Sequence, residues 1–305
     1  MTTDTVTKTD KAICCRLHCK GIRASIDLAA LSEVFARLES PSVLGGNSAK
    51  ADAGRFSYWA AEPKEVFEFR AGQEDPFGKL HSILTKYTLK RDSENDLPKG
   101  IFRGGWIGYF SYELGRHIER LPETTVDDLG IPLIRLCFYD RLIAYDHVDG
   151  TFWLIAVQLP GEAEKPEGKF AALERLLGES GRLRLPRPAP ADLDNVDFSR
   201  VRPNMDKDYY LQTVERIKRY IYDGEVYQIN FSQRFECDCT ARAIDLYHWQ
   251  NRYNPSGYAA FIDAGDFHIV SASPEMFVTI TDGVIRTKPI KGTRRRMDET
   301  GRRAL

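Results

Sequence analysis

The dipeptide Asp282-Gly283 constrains the fold of this 305-residue chain more than any other short feature. It lies between two runs of β-branched and apolar residues, where Asp-Gly is a strong signal for a two-residue hairpin turn of type I′. Such a turn fixes the register of both strands, because it pairs Thr281 with Val284. The sequence therefore predicts an antiparallel hairpin centred on this dipeptide.

The same register brings an acid and an amine together. Carried along the strands, it pairs 275 with 290 and 274 with 291, so Glu275 and Lys291 meet at the open end of the hairpin. An unbroken ladder would point these two side chains to opposite faces. Pro289 cannot donate to a ladder, and Gly292 loosens the chain, so we expect regular pairing to break down near Lys291.

Lys291 has two interpretations on this evidence. As a nucleophile it must lose a proton, and at neutral pH only about one lysine in a thousand is a free amine. Neighbouring cations would lower that cost, and Lys288 and Arg294 to Arg296 are candidates. Spacing alone favours an exposed surface lysine, and a solvated strand end for Glu275.

Alternation of short helical and strand patterns predicts an α+β fold, with antiparallel sheets packed against helices. We predict an N-terminal domain over 13–158, a linker rich in proline and charge over 159–200, and part of a second domain over 201–305. Within the first domain the predicted helix is LAALSEVFARL, and the predicted strands are RFSYWAA, EVFEF, LIRLCFYDRLIAYD and TFWLIAV.

The region after the linker has clear local signals. Apolar residues at helical spacing predict a helix that is capped by Asp206 and stops at Gly224. Alternation from Tyr227 to Phe235 predicts a strand, with Gln228, Asn230 and Ser232 on a polar face. The runs YAAFID, FHIVSAS, MFVTI and GVIRTK predict an antiparallel meander.

Composition narrows the function classes. Lys plus Arg number 43 against 44 Asp plus Glu, which disfavours a dedicated nucleic-acid binder, although the RRR run leaves a basic tail as an alternative. No run approaches the roughly 20 apolar residues that span a bilayer, so we expect a soluble, cytoplasmic chain.

Six cysteines and six histidines show no metal-site spacing, and we expect reduced thiols, mostly in the core. Gly104, Gly105 and Gly108 lack a phosphate-loop pattern and predict close backbone packing.

Three segments carry a resemblance to a known family. FRGGWIGYFSYELGR, GEVYQINFSQRF and SASPEMFVTI…TKPIKGTRRR together resemble the aminodeoxychorismate synthase component I enzymes of the chorismate-utilising family, which also contains anthranilate synthase component I. The resemblance runs from about residue 30 to the end. Anthranilate and isochorismate synthases typically carry alanine where Lys291 stands, so the PIKGT segment is the most discriminating part.

The resemblance implies a reaction and a site. Lys291 would add to C2 of chorismate as the 4-hydroxyl leaves, and ammonia would then displace it to give 4-amino-4-deoxychorismate. Glu275 would be the general acid/base, and Gly292 and Thr293 would bind substrate. A glutamine amidotransferase would supply the ammonia, because no Gly-x-Cys-x-Gly glutaminase turn occurs here.

A tryptophan pocket is a further implication. Leu38-Glu39-Ser40 and NPSGYAAF, with Gly257, Tyr258 and Ala259, resemble its two segments, and a turn followed by a buried strand explains them equally well.

The family also uses Mg²⁺, held by glutamates that lie beyond Leu305 in the family pattern. We therefore expect a fragment, a truncated product or half of a split protein, inactive alone. Anthranilate synthase component I, which Lys291 argues against, and a non-catalytic chorismate- or tryptophan-binding protein are the alternatives.

Overall fold

The computed structural model describes residues 12–46, 54–90, 97–122, 124, 126–191, 197–290 and 292. The chain divides into two compact units, one formed by residues 1–188 with 243–305 and the other by 189–242. The predicted boundary between 159 and 200 does not coincide with this division, because strands from both sides of it share one sheet.

An eight-stranded sheet dominates the first unit. Its strands are β1 (Ile13–Arg23), β2 (Ser42–Leu44), β3 (Phe56–Ala60), β5 (Tyr87–Leu89), β8 (Arg141–Asp146), β9 (Thr151–Gln158), β12 (Tyr258–Asp263) and β13 (His268–Ser273). They lie in the order β13-β12-β2-β3-β8-β9-β1-β5, and every neighbouring pair is antiparallel except β1 and β5. The predicted α+β class is confirmed.

Two smaller sheets complete the unit. One contains β4 (Glu65–Phe69), β7 (Ile134–Tyr139) and β6 (Gly105–Phe110) in the order β4-β7-β6. The other is a hairpin of β14 (Met276–Thr281) and β15 (Val284–Lys288). An added Cβ on Gly108 would overlap the carbonyl oxygen of Arg135 on the neighbouring strand, which confirms the predicted close backbone packing at this glycine. An added Cβ on Gly105 would meet only a side-chain atom of Phe102 at 3.9 Å, so the prediction is wrong there.

Within the described residues, the α-helices of the first unit are α1 (Leu28–Phe35), α2 (Pro76–Lys86), α3 (Pro166–Arg182) and α5 (Ala243–Tyr253). The first begins at Asp27, whose carboxylate accepts a hydrogen bond from the amide of Ala29 at 2.9 Å. Helices α1, α3 and α5 share one buried core with the large sheet. Its members include Leu31, Phe35, Trp59, Phe152, Leu173, Leu177 and Tyr247.

A buried ion network ties α3 to the sheet. Lys169 Nζ donates to Asp140 at 2.7 Å, to Glu162 at 2.7 Å and to the carbonyl of Val157 at 2.8 Å. Lys169 and Asp140 are both fully buried. Lys64 Nζ adds a second cation, 3.0 Å from Glu162 and 3.4 Å from Asp140. Burial opposes ionisation of Glu162, but the hydrogen bonds from the two lysines outweigh it and lower the Glu162 pKa to about 2.

The second unit contains α4 (Lys207–Tyr222) and the short paired strands β10 (Arg202–Pro203) and β11 (Phe235–Glu236). The predicted caps of α4 are confirmed, because Asp206 accepts from the amide of Tyr209 at 2.7 Å and Gly224 has a left-handed φ of 78°.

The strand predicted from Tyr227 to Phe235 is wrong, since only Phe235 of that range belongs to a strand. An alternating segment becomes a strand only when another strand pairs with it. Here the amide of Arg234 bonds the side chain of Asn204 instead, at 2.9 Å, and the side chain of Gln228 bonds that of Asn230 at 3.0 Å.

Two further predictions need correction. The four C-terminal strands do not form one meander, because β13 belongs to the large sheet and β14 to the separate hairpin. Pro274 stands between them and has no amide hydrogen for a ladder. The cysteines are free thiols but not mostly core, since Cys14, Cys237 and Cys239 are exposed.

Among the described residues, no helix is both long and apolar enough to cross a membrane.

Candidate active site

The Asp282-Gly283 turn has the predicted geometry. Asp282 has a φ of 52° and Gly283 a φ of 75°, and a type I′ turn requires positive values at both central residues. Thr281 pairs with Val284 as expected, and the next two pairs keep that register. The hairpin prediction is confirmed at its closed end.

The register shifts by one residue toward the open end. Thr279 pairs with Arg286, whereas Met276 pairs with Lys288, so β14 uses one residue more than β15 between these pairs. Such an extra residue is a β-bulge. The break expected near Pro289 therefore occurs earlier and in the opposite strand. The predicted partnership of residues 275 and 290 does not follow from the observed register.

Glu275 lies at the open end of the hairpin, immediately before β14. Its side chain is half-buried, and its backbone carbonyl accepts a hydrogen bond from the hydroxyl of Ser273 at 3.2 Å. Gly292 is exposed, with no atom within 4 Å of an added Cβ. Lys291, Thr293 and Arg294 to Arg296 lie outside the described residues.

The predicted tryptophan-pocket segments lie on adjacent strands. β2 begins two residues after Ser40 and pairs with β12, which contains Tyr258 and Ala259. Ser42 pairs with Ile262, so the antiparallel register puts Ser40 at one end of the paired segment and Gly257 at the other. The structure thus brings the segments together but separates these residues along the strands.

Local contacts occupy both ends of this segment. Ser40 has a left-handed φ of 45°, and its carbonyl accepts from the Tyr139 hydroxyl at 2.6 Å. Burial raises the pKa of Tyr139 well above its ordinary value, so its hydroxyl remains a donor. At the other end, Gly54 packs directly on the carbonyl of Gly257. These contacts are ones that a turn followed by a buried strand would make.

Among the described residues, no group of three His, Cys, Asp or Glu side chains stands together in a way that could hold a metal ion. The resemblance implies Mg²⁺ ligands beyond Leu305, so no chemical step below depends on the ion.

Two serines contact the Glu275 segment, and no sequence pattern indicated a role for either. Ser256 donates to the backbone carbonyl of Ser273, and Ser273 donates in turn to the carbonyl of Glu275. Ser256 lies in NPSGYAAF, a segment that the sequence linked only to tryptophan.

The antiparallel sheets and the helices packed on them define an α+β protein. Residues 47–305 match the family of chorismate binding enzymes, to which this chain belongs.

Relatives within the family have two different activities. The chain is 32% identical over 223 residues to aminodeoxychorismate synthase component 1 of Bacillus subtilis, covering 73% of this chain and 46% of that protein. It is 36% identical over 228 residues to anthranilate synthase component 1 of Pseudomonas aeruginosa, covering 73% and 45%. The chain thus spans about half the length of the curated relatives it matches.

A solved structure agrees with the fold. The crystal structure of anthranilate synthase component I from Streptococcus pneumoniae aligns with a TM-score of 0.56 and 26% identity, covering 76% of this chain and 53% of that one. The chorismate-utilising fold expected from the sequence is therefore confirmed.

Proposed function

We propose that this chain belongs to an aminodeoxychorismate synthase, the enzyme that aminates chorismate at C4 on the route to p-aminobenzoate and folate. The observation that carries the proposal is Lys291 in the segment TKPIKGT, which continues from a confirmed hairpin whose other strand starts beside Glu275. In the resemblance noted above, lysine at this position separates aminodeoxychorismate synthases from anthranilate synthases.

The proposed chemistry has two displacements. The free amine of Lys291 attacks C2 of chorismate, both ring double bonds shift by one position, and the C4–O bond breaks as Glu275 gives a proton to the departing hydroxyl, which leaves as water. Ammonia then attacks C4, both double bonds shift back, and the C2–N bond to Lys291 breaks as the lysine nitrogen takes up a proton. Glu275 moves protons in both halves, which is the general acid–base role that a carboxyl near a nucleophile fills.

The bulge in β14 supports this pairing of roles. In an unbroken ladder, positions 275 and 291 have opposite parity and face away from each other. The one-residue shift between the Thr279 and Met276 pairs interrupts that ladder before it reaches Glu275. Lys288, exposed at the end of β15, contributes a nearby positive charge that favours the free amine.

Anthranilate synthase component I is the second candidate. Relatives with that name reach 36% identity, against 32% for the aminodeoxychorismate synthase component 1 of Bacillus subtilis. Sequence identity over the whole alignment reflects the shared fold and ancestry, whereas Lys291 is the residue proposed to react with the substrate. We therefore rank amination at C4 first.

The resemblance also supplies proposals for ligands and partners. We propose a glutamine amidotransferase as the ammonia donor, dependence on Mg²⁺, and a cytoplasmic location. Tryptophan binding at Ser40 and the segment Gly257, Tyr258 and Ala259 is proposed as a structural or regulatory feature.

The product of the reaction tests the main proposal. The chain is supplemented in trans with the C-terminal half of a family member and incubated with chorismate, an ammonium salt and Mg²⁺, and the products are separated and identified by mass spectrometry. We expect 4-amino-4-deoxychorismate, and with Lys291→Ala neither product nor a chorismate–protein adduct. Arg286→Ala, a change at another exposed cation of the same strand, should retain the adduct. Anthranilate as the main product would establish the second candidate, and an adduct in Lys291→Ala would exclude Lys291 as nucleophile.

A further inference from the structure

Glu275 stands at a junction between two sheets. Ser273 is the last residue of β13 in the eight-stranded sheet, and Met276 is the first residue of β14 in the hairpin. Pro274, between them, has no amide hydrogen. The backbone at Glu275 therefore lies outside both ladders, and other contacts must fix its position.

Two serine hydroxyls form a relay that reaches this junction. The amide of Tyr258 donates to Ser256 Oγ at 3.3 Å, and Ser256 Oγ donates to the carbonyl of Ser273. Ser273 Oγ then donates to the carbonyl of Glu275 at 3.2 Å. The large sheet holds the start of this relay in place, because Tyr258 also pairs with Ser273 in the β12–β13 ladder.

The first serine is held on several sides. Ser256 is only 8% exposed, and its carbonyl accepts from the amide of Ala259 at 3.3 Å. An added Cβ on Gly46 would come within 2.5 Å of that same carbonyl oxygen, so the backbone of Ser256 also lies against the chain that follows β2. The relay is thus anchored in the core sheet at one end and ends on the carbonyl of Glu275 at the other.

We infer that Ser256 and Ser273 are positioning residues for Glu275, which set the direction of its carboxyl group by fixing its backbone. The inference rests on the proposed acid–base role of Glu275. Neither serine touches the reacting atoms in this scheme, so their loss lowers the rate of proton transfer and leaves chorismate binding intact. It also gives Ser256 in the NPSG segment a role in catalysis.

Steady-state kinetics with ammonium test the inference first. Ser273→Ala should lower kcat by roughly 3- to 30-fold, a part of the roughly 10²- to 10⁴-fold that general acid–base catalysis supplies, with KM for chorismate within about twofold. Ser273→Thr keeps the hydroxyl and should restore kcat. Ser271→Ala, on the same strand but outside the relay, is the matched control.

A double-mutant cycle separates positioning from general stability. In a Glu275→Gln background, Ser273→Ala should cause no further loss of kcat, because the group that it positions is already gone. Multiplicative losses, or a raised KM with unchanged kcat, would overturn the inference.

A readout that does not need turnover keeps the two proposals distinguishable. The protein is labelled with ¹³C at the glutamate carboxyl carbon, and the signal of Glu275 is assigned from its loss in Glu275→Gln. Ser256→Ala and Ser273→Ala should each shift that signal, whereas Ser273→Thr and Ser271→Ala should not. Glu275→Gln with wild-type kcat would refute the proposed role of Glu275 alone. An unmoved signal in both serine variants would refute the relay whatever the activity.

Discussion

Strand β9 and the β14–β15 hairpin are built from similar residues but differ in what covers them. In β9 most residues are buried, including Phe152 and Leu154 at 0% exposure. In the hairpin, Phe277 is 87% exposed and Ile280 and Ile285 are each 68% exposed. The contrast shows that an apolar strand pattern predicts a strand and leaves open whether another layer packs on it.

The neighbours of each strand explain the difference. β9 has a paired strand on each side, and α3 packs against it, so its apolar side chains enter the core shared with Leu173 and Leu177. The hairpin has two strands and, within the described residues, no third strand hydrogen-bonded to it. A two-stranded hairpin is marginally stable by itself. Stability should therefore depend strongly on β9 and its surroundings and weakly on the apolar side chains of the hairpin.

A matched pair of phenylalanines gives the largest expected contrast. Phe152→Ala should lower the free energy of unfolding by about 3 to 5 kcal/mol, since it removes a fully buried ring and leaves a cavity. Phe277→Ala should change it by less than about 0.5 kcal/mol. Urea unfolding followed by circular dichroism measures both. Equal losses would show that the hairpin is packed as tightly as the core.

Removal of the buried cation tests the network beside β9. Lys169→Met leaves Asp140 and Glu162 without their shortest partner and should cost about 3 kcal/mol, the lower end of the range for a broken buried pair. The cost stays at that end because Lys64 remains 3.0 Å from Glu162. Lys165→Met, an exposed change one turn earlier, should cost less than about 0.5 kcal/mol. A loss below about 1 kcal/mol for Lys169→Met would mean that the charges contribute little.

Acid should weaken the same network. Glu162 has a pKa of about 2 in the folded chain against an ordinary 4.5, so its ionised form stabilises the fold above pH 4.5, and that contribution disappears as the pH falls from 4.5 toward 2. The stability difference between wild type and Glu162→Gln should therefore shrink by about 2 kcal/mol over that window. Glu167→Gln, in the exposed first turn of α3, is the control. A difference that is constant with pH would contradict the lowered pKa.

Local pattern predicted much of the fold, and tertiary contacts decided the rest. Strands β4 and β12 begin and end at the predicted residues, because each is a short, mainly apolar run bounded by turn residues. The three-residue strands β2 and β5 were not predicted, since such short segments become strands only through their neighbours. The parallel pairing of β1 with β5 is likewise a property of the assembled sheet.

In the candidate site, too, local sequence pattern predicted some features and tertiary contacts decided others. The turn at Asp282-Gly283 is encoded by two residues, and their positive φ angles confirm it. The bulge near Met276 depends on how the hairpin leaves the large sheet, which no local pattern records. The contact between Ser256 and Ser273 joins residues seventeen positions apart, so no local periodicity indicates it. The roles of Glu275 and Lys291 stay predictions that the proposed experiments decide.

The pairing of β2 with β12 has a consequence for synthesis of the chain on the ribosome. Strand β2, which begins at Ser42, can pair with β12 only after Ile262 has been synthesised. At roughly 5 to 20 residues per second, this delay lasts roughly 10 to 45 seconds. During that time the nascent chain presents an unpaired strand edge, which is a template for pairing with other chains. The emerging polypeptide is thus a natural client for chaperones that shield β-edges, and fast translation of its middle section would shorten the exposure.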